Sequence, residues 1–123
     1  MSKAERKSGE RYGAIGDWAG RRLLDTIVSS NRASFVTSGH THRNRRWPTG
    51  PVPVTEVGSI KDYPGTWGAY YAYEGGIVQS VRRVQERAAI EWTERTRTML
   101  FGIWGRYAPG RLSARCFTHV WPT

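Results

Sequence analysis

Apart from Met1, residues 1–10 carry no bulky apolar side chain, so they have little to bury and are expected to form a mobile basic tail. From Tyr12 to Ser30, Ile15, Trp18, Leu24, Ile27 and Val28 recur at spacings of three and four, which predicts a helix with one apolar stripe. Asp17 near its start suits the exposed amides of a first turn, and Asn31 is a natural stop. The run Ala33 to Ser38 (ASFVTS) is short, β-rich and without helical period, and predicts a buried strand ending at Gly39. Proline and glycine dominate Trp47 to Pro53, so the segment after Gly39 reads as a loop. A strand over Val52–Val57 contains Pro53 and therefore belongs near an edge or at a strand start. Trp67, Ala69, Tyr71 and Tyr73 alternate with smaller or opposite-facing residues, Glu74-Gly75-Gly76 forms a turn, and Ile77–Val84 continues as strand: a hairpin. Helical spacing returns over Glu86–Gly105, with Trp92, Met99 and Ile103 on one stripe and Ile90, Arg97, Leu100, Phe101 and Trp104 beside it. From Pro109 onwards the pattern is irregular.

These elements predict an α/β layered arrangement with a mixed sheet, a hairpin and two flanking helices, in one domain over residues 11–123. At 123 residues the chain buries a modest core. Cys116 is the single cysteine, which excludes an internal disulfide framework and a Cys-rich zinc module. No apolar run approaches the ~20 residues that span a bilayer, so a soluble, cytoplasmic protein is expected, with no membrane partner. Nineteen Lys and Arg against ten Asp and Glu give a formal charge of +9, concentrated in the front half. That excess attracts phosphate-bearing partners without choosing among them. Six Trp and six Tyr exceed what a small core easily encloses, which predicts that some face a surface belonging to something else.

The sharpest chemistry follows the first strand: Gly39-His40-Thr41-His42. In an extended segment, residues two apart project to the same side, so His40 and His42 can present two imidazoles to one place, and imidazole is the commonest metal ligand. Behind them, Arg43, Arg45 and Arg46 are either phosphate contacts, since guanidinium matches phosphate oxygens, or a solvated loop. Asn44 is placed to order that loop. Glu56, Lys61 and Asp62 suit an ion pair or a supporting shell behind a metal. Glu91 and Glu94, among Arg87, Arg95 and Arg97, read as a solvated helix face, and Cys116 as inert.

The string GHTHRN after a strand, followed by TEVGSIKDYP and the WGAYYAYEGG hairpin, resembles the C-terminal end of calcineurin-like metallophosphoesterases, over about Ala33 to Val84. The resemblance implies one part of that family's layered sandwich, with two metal ions drawn from Mn, Fe or Zn and a phosphoester substrate. His40 would ligate one metal and His42 the other. The family's upstream Asp-x-His, Gly-Asp and Gly-Asn-His-Asp/Glu motifs are missing. Gly16-Asp17 spells the second, but sits at a helix start and too close to GHTH, while His119 lies far downstream. Two imidazoles fall short of the three protein ligands usual at a catalytic metal. The chain is therefore expected to be inactive alone and to need an N-terminal half on another chain, or self-association. The competing expectation is a basic nucleic-acid-binding module gripping a backbone with Arg43, Arg45 and Arg46 while Trp47 stacks on a base.

Overall fold

The computed structural model describes residues 17–31, 35–47 and 52–121. The tail expected over 1–10 lies outside them, as do Ala33 and Ser34 of the first strand run and residues 48–51 of the loop. The chain divides into two compact units, residues 1–34 and 35–123.

In the first unit, helix α1 spans Asp17–Ser29. Arg22 stands one turn after Trp18, its guanidinium 4.7 Å from the ring centre, the i, i+4 geometry of a helix surface. The helix stops at Asn31, whose φ of 50° falls in the left-handed region that asparagine tolerates better than most residues.

The second unit holds two three-stranded sheets. Strands β1 (Val36–Ser38), β2 (Arg45–Trp47) and β3 (Val54–Glu56) form a mixed sheet in the order β1-β3-β2. β1 runs parallel to β3, with Thr37 beside Thr55, and β2 runs antiparallel, with Arg46 beside Thr55. One expectation is corrected here. Arg45-Arg46-Trp47 is a strand rather than loop, because pairing supplies what its cation-rich pattern does not show: Arg45 lies opposite Glu56, and the Arg46 guanidinium packs 4.1 Å from the Phe117 ring centre. β3 is central in the sheet, and Pro53 stands at its start, the second of the two places expected for it. Pro53 is tolerated because it precedes the strand and contributes only its carbonyl, which accepts the Val36 amide at 3.0 Å.

The second sheet is antiparallel, in the order β4-β5-β6: β4 is Thr66–Tyr73, β5 Gly76–Arg83 and β6 Cys116–Val120. The hairpin stands as expected, turning at Glu74-Gly75. β6 falls where the pattern is irregular. It pairs with β5 from Gly76 opposite Val120 to Ser80 opposite Cys116, and a Cβ at Gly76 would collide with the His119 carbonyl. The single long helix expected over Glu86–Gly105 is two, α2 (Arg87–Thr96) and α3 (Met99–Tyr107). Leu100, Phe101 and Gly102 all take positive φ, which breaks the spiral and leaves Phe101 fully exposed. A short helix, α4 (Leu112–Arg115), leads into β6.

The packing between these elements is polar. Among the described residues the largest fully buried side chains are Gln79, Asn44, Thr55, Thr93 and Thr96, while the buried apolar ones are Val52, Ile77, Ala108 and Ala114. The buried face of α2 is thus threonine, and Trp92 of its expected apolar stripe is half exposed. Gln79 links three elements: it accepts from Thr55 Oγ1 at 3.0 Å and donates to the Ala114 carbonyl at 3.0 Å, joining β5 to β3 and α4. A buried group left without its partner costs about 1–3 kcal/mol. Gln79→Leu, which orphans both, is expected to lower stability by about 2 kcal/mol, read as a shifted urea midpoint with unchanged slope.

Candidate functional site

The loop carrying the two histidines joins β1 to β2, and β3 holds its middle. Glu56, the last residue of β3, is buried at 3 % exposure and accepts the Thr41 amide at 2.7 Å. This charge-assisted bond pins the residue between the histidines. The segment is not extended, as its sequence pattern suggests. His40 has φ 103° and His42 φ 56°, so the backbone bends at both, and the carboxylate held over Thr41 accompanies that bend. Even so, both histidines line one open cleft of about 650 Å3, together with Ser38, Ser59, Ile60, Trp67 and Tyr70.

His42 is the better supported of the two. Its Nδ1 lies 2.5 Å from Asp62 Oδ2, and its ring stands 5.4 Å from that of Trp104, tilted by 30°. Asp62 is itself fixed from both sides. The Lys61 carbonyl accepts Trp92 Nε1–H at 2.8 Å, the Tyr63 amide donates to Thr96 Oγ1 at 2.7 Å, and the Asp62 carbonyl accepts the Gly65 amide at 2.6 Å. Helix α2 therefore sets the carboxylate that sets the imidazole. With Nδ1–H given to Asp62, a neutral ring carries its lone pair on Nε2. His40 is exposed.

Asn44 closes the base of the loop. At 2 % exposure, its Oδ1 accepts the Gly58 amide at 2.9 Å while its Nδ2 donates to the Ala108 and Pro109 carbonyls at 3.1 and 3.3 Å. Its own amide donates to the Ala108 carbonyl at 3.0 Å. Gly110 passes so close, at φ 63°, that a Cβ there would strike the Asn44 carbonyl.

The other candidates lie elsewhere. The residues lining the cleft do not include Arg43, Arg45 or Arg46. Arg43 stacks over Tyr107 at 5.3 Å and Arg45 over Trp47 at 6.0 Å, and all three arginines are half-buried. His119 sits on β6 against Trp121, and Cys116 is exposed at the start of that strand. Glu91 and Glu94 pair with Arg87 and Arg83 at 2.9 and 2.7 Å on an exposed face, as the charge pattern suggests.

The chain matches no family model, no curated protein and no solved structure. Among the described residues no helix is long and apolar enough to cross a membrane.

Tested against a metal, the donor set is partial. Among the described residues no group of three or more His, Cys, Asp and Glu is placed to hold an ion. Glu56 and Asp62 are already engaged with Thr41 and His42, which leaves two imidazoles. Thr41 Oγ1, between them, is enclosed without a hydrogen-bond partner among the described residues. The site thus has the form of one wall: a braced imidazole at His42, an exposed one at His40, two engaged carboxylates and an unfilled polar demand at Thr41, without a full coordination shell. The participation of Trp104, Trp92 and Thr96 left no signal in the sequence, since each meets the loop or its support only through tertiary packing.

Proposed function

We propose that this chain is the C-terminal segment of a metal-dependent phosphoesterase, one part of that family's layered sandwich, contributing His40 and His42 to a dinuclear Mn, Fe or Zn centre. The observation that carries this reading is the braced histidine. Metal-ligating imidazoles characteristically give their second ring nitrogen to a carboxylate, which fixes tautomer and orientation, and Asp62 meets His42 in that way. A merely solvated histidine pair has no need of a buried glutamate under the intervening amide and an aspartate clamped to a helix. The two histidines, facing a cleft open to solvent, supply one side of the site. The remaining ligands come from a complementary half or from a second copy. The phosphoester substrate binds in the same cleft, and no catalytic step belongs to this chain alone.

The arginine-rich stretch fits a nucleic-acid grip less well. Arg46 is directed against Phe117 and Arg43 against Tyr107, so their guanidinium faces are taken up within the fold.

The test is metal uptake by the 123-residue chain beside a His40→Ala/His42→Ala variant, with elemental analysis and hydrolysis of a generic phosphodiester on the same samples. The expected result is weak zinc or manganese uptake by the parent chain, lost in the variant, and no turnover by either. Uptake that is unchanged by the double substitution would overturn the assignment of the histidines. Stoichiometric metal with turnover by the chain alone would overturn its status as a part.

A further inference from the structure

Among the described residues, nothing packs over one face of the hairpin sheet, where Trp67, Tyr71 and Tyr73 are exposed. Gln79 points inward to Thr55, and its cross-strand neighbours Tyr70 and Phe117 share that inner face. The residues in the alternate register, Trp67, Ala69, Tyr71 and Tyr73 on β4, therefore project to the other side. There Trp67, Tyr71 and Tyr73 are 43 %, 39 % and 62 % exposed. Strand geometry spaces the three rings over about 20 Å. Arg82, paired with Trp67 across the hairpin, lies 5.9 Å from the Trp67 ring and 6.0 Å from the Tyr71 ring, and its Nη2 donates to the Tyr71 hydroxyl at 2.6 Å. Arg82 thus stands beside two outward-facing rings, and unlike the half-buried Arg43 and Arg46 it is exposed. Trp67, at the β4 end where the row of rings begins, is also among the residues that border the histidine cleft.

We propose that this face binds single-stranded nucleic acid, whose bases stack on Trp67, Tyr71 and Tyr73 while Arg82 meets the phosphate backbone. Three features favour this occupant over a protein surface. The face carries three rings and an arginine with Ala69, Ser80 and Thr118 between them, and Val78 and Val120 are its larger aliphatic side chains among the described residues, too few to pack against a helix. Base stacking on aromatic rings needs π-faces and a nearby cation, which is what the face offers, and a duplex would keep its bases hidden. The chain's charge of +9 draws a polyanion and repels a basic partner. Combined with the phosphoesterase reading, on which this part rests, the arrangement makes the substrate a single-stranded polynucleotide phosphodiester, held on β4 beside the cleft.

The test is fluorescence anisotropy of the full 123-residue chain with a labelled oligothymidylate, in EDTA, at 50 and 200 mM salt. Because EDTA removes any metal, failure of the metal assignment leaves this result readable, and the reverse. Binding that weakens with salt is expected. Trp67→Ala or Tyr71→Ala should weaken it roughly 5- to 150-fold, while Trp67→Phe, which keeps a ring, restores most of it. Arg82→Gln should reduce the salt slope by about one. Circular dichroism confirms that each variant is folded. Absence of binding, binding indifferent to salt, or equal binding by the alanine variants would overturn the proposal. So would a dimer that Trp67→Ala dissolves without any oligonucleotide affinity, since a second copy would then own the face.

Discussion

Asn44→Ala is expected to be the most damaging conservative change in the second unit, lowering its stability by about 3–5 kcal/mol. The side chain is 2 % exposed and serves three backbone groups at once: the Gly58 amide and the carbonyls of Ala108 and Pro109. Alanine leaves the Gly58 amide and the Pro109 carbonyl without a partner in a place water reaches poorly, while the Ala108 carbonyl keeps the Asn44 backbone amide; each such orphan costs about 1–3 kcal/mol. Against a typical total of about 5–15 kcal/mol, this is a large fraction. Asn44→Asp separates hydrogen bonding from volume. It still accepts from Gly58 but turns a carboxylate towards two carbonyls, so it should be no better than alanine. Chemical denaturation with tryptophan fluorescence decides the matter, and a midpoint within error of the parent for either variant would show that the hub is dispensable. The same reasoning makes Gly110 intolerant of a side chain, since no rotamer moves a Cβ away from the Asn44 carbonyl.

Asp62→Ala is expected to weaken metal binding through His42 by about 10- to 100-fold, the usual consequence of removing a carboxylate behind an imidazole ligand. The carboxylate touches the ring nitrogen at 2.5 Å, and the backbone on both sides of it is tied to α2 through Thr96 and Trp92. Those two bonds involve backbone groups and survive the substitution. Loss of affinity would then report the orientation of the imidazole rather than collapse of the segment. Asp62→Asn retains an oxygen able to accept Nδ1–H, though without its charge, and should fall between parent and alanine. Competition with a chromophoric zinc chelator, with circular dichroism as a check on folding, gives the ranking. Equal affinities across the three proteins would remove the main support for the metal reading.

What could be read from the sequence was what local pattern encodes. The hairpin was legible because alternation and the Glu74-Gly75-Gly76 turn lie within a few residues of each other, and the histidine pair because it sits directly after a strand. The supports of that pair were only partly legible. Glu56 and Asp62 are noticeable as carboxylates, but which backbone or side-chain group each holds depends on a parallel strand pairing and on a helix thirty residues further on. β2 was hidden because its residues are two arginines and a tryptophan, which form a strand through pairing with β3 and packing on Phe117 rather than through alternation. β6 was hidden because five residues carry too little period. The break between α2 and α3 was hidden for the opposite reason: helical spacing runs straight across it, and the left-handed backbone at Leu100 and Phe101 contradicts their intrinsic preference.

The threonine, glutamine and asparagine interior also governs how the protein responds to temperature. Exposing apolar surface raises the heat capacity of unfolding and exposing polar surface lowers it. A unit whose described residues enclose Gln79, Asn44, Thr55, Thr93 and Thr96 more completely than any large aliphatic side chain is expected to unfold with a heat-capacity increment below the usual value of about 12–15 cal/mol/K per residue, as calorimetry would show. Its stability therefore follows a shallow dome, changing slowly on warming or cooling, and rests on the direction of a few bonds more than on the area withdrawn from water.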